Sequence, residues 1–279
     1  MTKVFSAKKI LTMDVNQPTA THVAVRNGRI ISVGDFDCAK GWGEYSIDNR
    51  FENKVIMPGF IEAHAHVSAG GVWRYIYCGH DPRTDPNGVI HDGVKNYEDL
   101  ISRLKAQVKK IPIGKPIVGW GFDPNFLEGR RLDRLHLDQV SKNHLVVVLH
   151  SNFHLLSANT KALSTTNLLK NSNIDGVVID SNSIATGELQ EFAAMAPVME
   201  KACVRFKDLS DENALENYGK IAKNCGVTTV ADLLSDLDET ELSMLEKITS
   251  RDTFPVRYVP IMNAMKGLPD EEAARAINL

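Results

Sequence analysis

The chain has 279 residues, 43% hydrophobic and 24% charged, and its 32 Lys and Arg against 35 Asp and Glu give a formal net charge of −3. That length allows one large domain or two ordinary ones, and the composition is that of a folded globular chain rather than a disordered one. The near-neutral charge gives no basic excess for a nucleic-acid partner, and no window approaches eighteen unbroken apolar residues, so no membrane span is expected.

Residues 1–20 lack the apolar core and small-residue cleavage site of a secretory signal. Cys38, Cys78, Cys203 and Cys225 are far apart and form no C-x-x-C pair, which fits a reduced compartment, so a cytoplasmic location is expected. Residues 2–57 read as short strands. His22–Val33 holds two alternating apolar runs around Asn27-Gly28, the favoured hairpin turn. Tyr45–Asp48 and Lys54–Met57 are two further strand-like runs, with Gly41 and Gly43 ahead of them. A sheet of this size buries little core by itself, so it is expected to pack on other strands or on the rest of the chain.

The pattern changes at Pro58. Phe60–His66 opens with apolar residues, as a buried parallel strand does. Residues 79–95 are rich in Gly, Pro, Asp and Asn and read as loop. Asn96 is placed to cap a helix over Tyr97–Lys110, with acids in its first turn and lysines in its last. Pro116–Gly119 and Leu145–Leu149 read as strands. Further on, a helix over Ser210–Cys225 capped by Ser210 and stopped by Gly226, a strand Val227–Ala231, a helix Glu239–Thr249, a strand Pro255–Met262 and a helix from Glu271 to Ile277 alternate in order. Such alternation marks βα units around a parallel sheet, so the fold class is α/β.

The stretch that carries chemistry is Pro58-Gly59-Phe60-Ile61-Glu62-Ala63-His64-Ala65-His66. On a strand, residues two apart share a face, so His64 and His66 project two imidazoles together, as one metal ion requires. Glu62 lies on that face and could accept an imidazole N–H and fix its tautomer. By itself an H-x-H is weak, since two histidines on a strand are more often chance than a metal site.

In context, PGFIEAHAH after a small β region resembles the opening of the amidohydrolase superfamily, where a P-G-[FL]-x-[DE]-x-H-x-H run ends the first barrel strand. Gly119-Trp120-Gly121-Phe122-Asp123 is similar to a G-W-G-[YF]-D segment of the type 3 branch, which includes N-substituted formamide deformylases. Leu132–Ser141, His154 and Asn159–Leu163 follow in that branch's order, with Phe153 where Gly is usual and Thr160 where Ser is common. Thr186–Glu191 resembles T-G-x-L-x-E, and Gly226–Asp232 resembles G-V-T-[ST]-V-x-D.

The resemblance implies residues 1–57 as part of a composite β-sandwich. It implies 58–279 as the first part of a (β/α)8 barrel, with about 80–200 inserted between early strands. It further implies hydrolysis of a C–N bond in an amide or formamide-like small molecule at a divalent metal, expected to be zinc, with His64 and His66 as ligands and Glu62 in support. A complete barrel takes typically about 250 residues. Only Phe60–His66, Val227–Ala231 and Pro255–Met262 read as its strands, so the chain is expected to be the N-terminal half of an enzyme, inactive alone. The alternatives are one subunit of a split hydrolase, completed by a second chain or by self-association, and a module that binds without catalysing.

Trp120, Asp123, His154 and Glu191 are candidates to meet substrate. Against three of them stands a plainer role: core packing for Trp120, a structural hydrogen bond for His154, and a capping or salt-bridging carboxylate for Glu191. His150 is expected to pack, and His80, His91, His136 and His144 to lie at the surface.

Overall fold

In the computed structural model, which describes residues 1–127, 131–170 and 172–263, the first strands follow the sequence pattern closely. Strands β1 (Thr2–Leu11), β2 (Thr19–Arg26), β3 (Arg29–Gly34) and β4 (Tyr45–Ile56) form a sheet in the order β3-β2-β1-β4. β1 pairs antiparallel with β2 and parallel with β4. Asn27 and Gly28 both have positive φ, 50° and 73°, so the turn between β2 and β3 is of the twist-matching kind that Asn-Gly favours. Alternation puts Val4 and Ala24 on one face, against Ala39, and Ala7, Ile10, Ala20 and Val23 on the other. The two runs expected as separate strands, Tyr45–Asp48 and Lys54–Met57, are the ends of the single strand β4. This sheet makes up the unit Met1–Ile61, and the rest of the chain from Glu62 forms a second unit.

The second unit contains two main sheets. Strand β5 (Phe60–Ala65) carries the histidine pair and leads into a one-turn helix, α1 (Ser68–Gly71). Next come β6 (Ile76–Tyr77), a small hairpin of β7 (Arg83–Thr84) and β8 (Ile90–His91), helix α2 (Tyr97–Lys105) and β9 (Ile117–Phe122). They are followed by α3 (Arg134–Asp138), β10 (Val146–His150), β11 (Leu155–Ala158), α4 (Thr160–Thr165), β12 (Val177–Ile179), β13 (Ala185–Gln190) and α5 (Glu191–Lys201). The chain then runs through α6 (Glu212–Asn224), β14 (Val227–Ser235), α7 (Glu239–Thr249) and β15 (Arg257–Met262). The helix expected over Glu271–Ile277 lies outside the described residues.

Six strands form a mixed sheet ordered β12-β13-β11-β10-β9-β6, parallel across β6, β9 and β10 and antiparallel beyond. Every residue of β9 and β10 is buried, as suits strands covered on both faces. The Asn159–Leu163 motif has a structural explanation here. Asn159 is fully buried, and its side-chain oxygen accepts from the backbone of Ala162, capping α4, and of Val146, while its amide donates to the carbonyls of Ser141 and His144. His144, expected at the surface, is buried, with Nδ1 2.9 Å from the Lys115 carbonyl.

The second sheet, ordered β15-β14-β5, joins the three strands expected to share a sheet, with β14 and β15 parallel. Helices α6 and α7 cover one face through Ala214, Leu215, Tyr218, Ala222, Leu245 and Ile248, packed on Ala65, Val67, Val230 and Val256. Each large side chain buried in this way contributes roughly 1.5–3 kcal/mol. Helix α6 starts one residue later than expected, because the Asp211 carboxylate, rather than the Ser210 hydroxyl, accepts from the Ala214 N–H at 2.9 Å. The expected burial at the start of β5 is also corrected: Phe60 and Ile61 are 54% and 74% exposed.

Candidate metal centre

The histidine pair lies at the end of β5. Ala65 points into the layer of α6 and α7, so strand alternation sends its neighbours His64 and His66 toward the opposite face. Their Nε2 atoms converge to 3.3 Å with the rings nearly perpendicular, at 85°. Two imidazole nitrogens bound at about 2.05 Å to one tetrahedral zinc stand about 3.3 Å apart. The pair therefore has the spacing of one edge of a zinc tetrahedron. Among the described residues no third His, Cys, Asp or Glu completes a group around it.

The carboxylate that meets an imidazole is not Glu62. Glu62 Oε1 accepts the backbone N–H of His64 at 3.1 Å, because a side chain two residues earlier on a strand reaches that amide more readily than the ring. The ring partner is Asp232 on β14, whose Oδ1 lies 3.4 Å from His66 Nδ1. Asp232 is 4% exposed and well satisfied: its Oδ2 accepts from Val67 N–H at 2.9 Å and Tyr258 O–H at 2.8 Å, and its Oδ1 from Leu234 N–H at 3.0 Å. Burial, reinforced by the Asp232 charge, pushes the Tyr258 hydroxyl far above its ordinary range and keeps it a proton donor. Sequence reasoning gave neither residue a role, although Asp232 closes the Gly226–Asp232 motif. Asp232 was visible as a lone acid ending an apolar, β-branched strand, a position tolerated only when hydrogen-bond partners are close.

Two other sequence candidates come together elsewhere in this unit. His154 Nδ1 lies 2.9 Å from Glu191 Oε2, and the Glu191 N–H donates to the His154 carbonyl. Both side chains are about two-thirds exposed or more, at 68% and 72%. Glu191 and Phe153 hold φ of 63° and 60°, a left-handed conformation that costs a non-glycine residue about 1–3 kcal/mol.

Asp123 accepts from Asn125 N–H at 2.9 Å and from the Ser151 hydroxyl at 3.3 Å, so its carboxylate shapes the turn after β9. Trp120 is 4% exposed and packs on Trp73 and Tyr77 in the core, since β9 is covered on both faces. His150 is buried as expected, with Nε2 2.9 Å from the Ser157 hydroxyl.

Comparison with known proteins adds three findings. The family model described as the amidohydrolase family matches residues 51–279. Protein LONG AFTER FAR-RED 3 of Arabidopsis thaliana is 30% identical over 235 residues, covering 80% of this chain and 37% of its own, and the N-substituted formamide deformylase of Arthrobacter pascens is 26% identical over 156 residues, covering 55% and 27%. A solved metal-dependent hydrolase from Pyrococcus horikoshii, uncharacterized by its description, shares the fold with a TM-score of 0.58 at 20% identity, covering all of this chain and 51% of that one. The chain thus spans about half the length of that structure and less of the two curated relatives. No helix among the described residues is long and apolar enough to cross a membrane.

Proposed function

Because this chain belongs to the amidohydrolase family, we propose that it supplies the first metal-ligand strand of a metal-dependent hydrolase cleaving a C–N bond in an amide or formamide-like small molecule. The observation that carries the reading is the 3.3 Å convergence of His64 and His66 Nε2, which matches the donor spacing of one tetrahedral zinc. Zinc bound there would lower the pKa of a bound water to near neutrality and polarise the scissile carbonyl. His64 and His66 hold the ion, Glu62 steadies the His64 backbone, and Asp232 anchors the His66 ring.

In this reading β5, β14 and β15, which share one sheet, are early strands of a (β/α)8 barrel, residues from about 80 to about 200 are inserted between them, and residues 1–57 are part of a composite β-sandwich. The remaining ligands come from further strands, in the same polypeptide or a complementing partner. Chain coverage of about half the solved hydrolase supports this division. His154 and Glu191, paired and exposed, are the residues proposed to meet substrate. The four free cysteines suit a reducing cytoplasm.

The ligand assignment is tested by zinc titration of the protein and of a His64→Asn/His66→Asn double variant. The variant is expected to lose zinc binding, and equal uptake by both overturns the assignment. A panel of N-substituted formamides and simple amides, assayed on the full-length protein, tests the substrate class.

A further inference from the structure

The segment that joins α2 to β9 carries charge of one sign. From Leu100 to Phe122 the chain has five cations, Arg103, Lys105, Lys109, Lys110 and Lys115, and no Asp or Glu, although its net charge is −3. Arg103 belongs to the fold: its guanidinium donates to the carbonyls of Tyr77 and Asp92. The four lysines are exposed, and among the described residues none of them forms an ion pair. Asp208, which lines the same cleft as Ile111, is already paired with Arg205. The exposed Lys142 joins the four from the loop before β10, because His144 Nδ1 lies 2.9 Å from the Lys115 carbonyl and ties the two loops together. Strands β9 and β10 are parallel, so these lysines gather at their N-terminal ends, away from Asp123 and His150 at the C-terminal ends.

Between Lys110 and Lys115 the backbone turns sharply. The Lys115 N–H donates to the Pro112 carbonyl at 3.0 Å, with Gly114 at φ 90° in the third position, as a type II turn requires. Ile111 packs on the core and anchors the turn, whereas Ile113, at its outer corner, is 84% exposed. A single exposed isoleucine is ordinary. An isoleucine held at the corner of an anchored turn, with lysines on both sides and no acid among them, suits a lipid–water interface. There the apolar tip enters the acyl boundary while the long lysine stems carry their charges to the headgroups. We propose that this edge of the protein, formed by Lys105, Lys109, Lys110, Ile113, Lys115 and Lys142, docks on an anionic phospholipid surface. Each lysine close to such a surface contributes about fivefold in affinity, the equivalent of about 1 kcal/mol. Ile113 separates a bilayer from other polyanions, because nucleic acid or an acidic polypeptide offers charge but no acyl layer. Docking here is independent of the reading of His64 and His66 as ligands.

The test is co-sedimentation of the 279-residue chain with vesicles of phosphatidylcholine alone and of phosphatidylcholine with about 30% phosphatidylserine, at about 0.1 M salt. Binding is expected to the anionic vesicles only, and to disappear at about 1 M salt, where charges are screened within about 3 Å. A Lys109→Gln/Lys110→Gln variant is expected to bind about 25-fold more weakly, and Ile113→Ser about tenfold more weakly. All three side chains are exposed, so neither change disturbs the core. A Lys220→Gln/Lys223→Gln variant, which removes the same charge from exposed positions on α6, is expected to bind as the parent does. Equal binding to both vesicle types, or an equal loss in the α6 variant, overturns the proposal. Poly-glutamate or duplex DNA bound as tightly as the anionic vesicles, with no effect of Ile113→Ser on any of them, overturns the assignment to lipid.

Discussion

His150 shows how a single side chain can couple this fold to pH. It is buried at the end of β10, its ring edge-on to Phe122 at 5.0 Å, and among the described residues its Nδ1 has no hydrogen-bond partner. Burial pushes its pKa down to about 4, against a smaller upward pull from the Glu188 carboxylate. The unfolded chain, with an ordinary imidazole, takes up a proton near pH 6.5 that the folded chain refuses until about pH 4. Stability from this group is therefore fully present above pH 6.5 and falls as the pH drops through that window, by roughly 3 kcal/mol in all. Urea unfolding at pH 7 and pH 4.5 measures it. His150→Gln keeps a polar group near Ser157 but does not titrate, so its stability is expected to change less between the two pH values than the parent's. An identical pH dependence in both proteins would show that His150 does not set it.

At the scale of elements, the seating of the histidine strand depends on two glycines. Helix α1 follows the pair immediately, and it crosses α6 so closely that a Cβ on Gly70 would stand 2.1 Å from the Ala214 carbonyl oxygen. A Cβ on Gly71 would stand 2.1 Å from that of Leu209. Both obstacles are backbone and cannot swing aside. Gly71→Ala is expected to destabilise the protein by about 1–3 kcal/mol and to displace β5, read as a lower thermal midpoint and altered His64 and His66 ring signals. A midpoint equal to the parent's would mean that the crossing is looser than described.

The elements themselves were largely legible because their signals are local. Asp238 caps α7, whose observed bounds are those expected, and Asn27-Gly28 sets its own hairpin. Two adjacent capping residues, Ser210 and Asp211, left the start of α6 uncertain by one residue. What the sequence hid is tertiary. Asp232 meets His66 across 166 residues, and the exposure of Phe60 and Ile61 depends on what covers the strand, which no local pattern encodes.

At the scale of the whole molecule, helices α6 and α7 cover one face of the sheet of β5, β14 and β15, while among the described residues apolar side chains on the other face stay exposed. Tyr258 packs on the helix layer, so its alternating neighbours Val259 and Ile261 turn to the other face, and each is 42% exposed. Parallel strands are ordinarily buried on both faces, and β-branched residues in such a position suit a sheet that continues. The same face receives His64 and His66, the two proposed ligands, and among the described residues no third donor joins them, where a catalytic zinc ordinarily takes three from protein. Among the described residues the incomplete ligand set and the exposed apolar side chains thus fall on one side of one sheet, which is where the proposed further strands would have to pack. Zinc binding by the 279-residue chain is accordingly expected to be weak, with a dissociation constant above about 1 μM, since four-ligand zinc sites reach apparent energies of about 10–16 kcal/mol. Competition with a chromophoric chelator measures the affinity, and turnover of N-substituted formamides by this chain is expected to be undetectable. Stoichiometric zinc at nanomolar concentration would show that the chain closes its own coordination sphere, and the division of ligands between two halves would then be wrong.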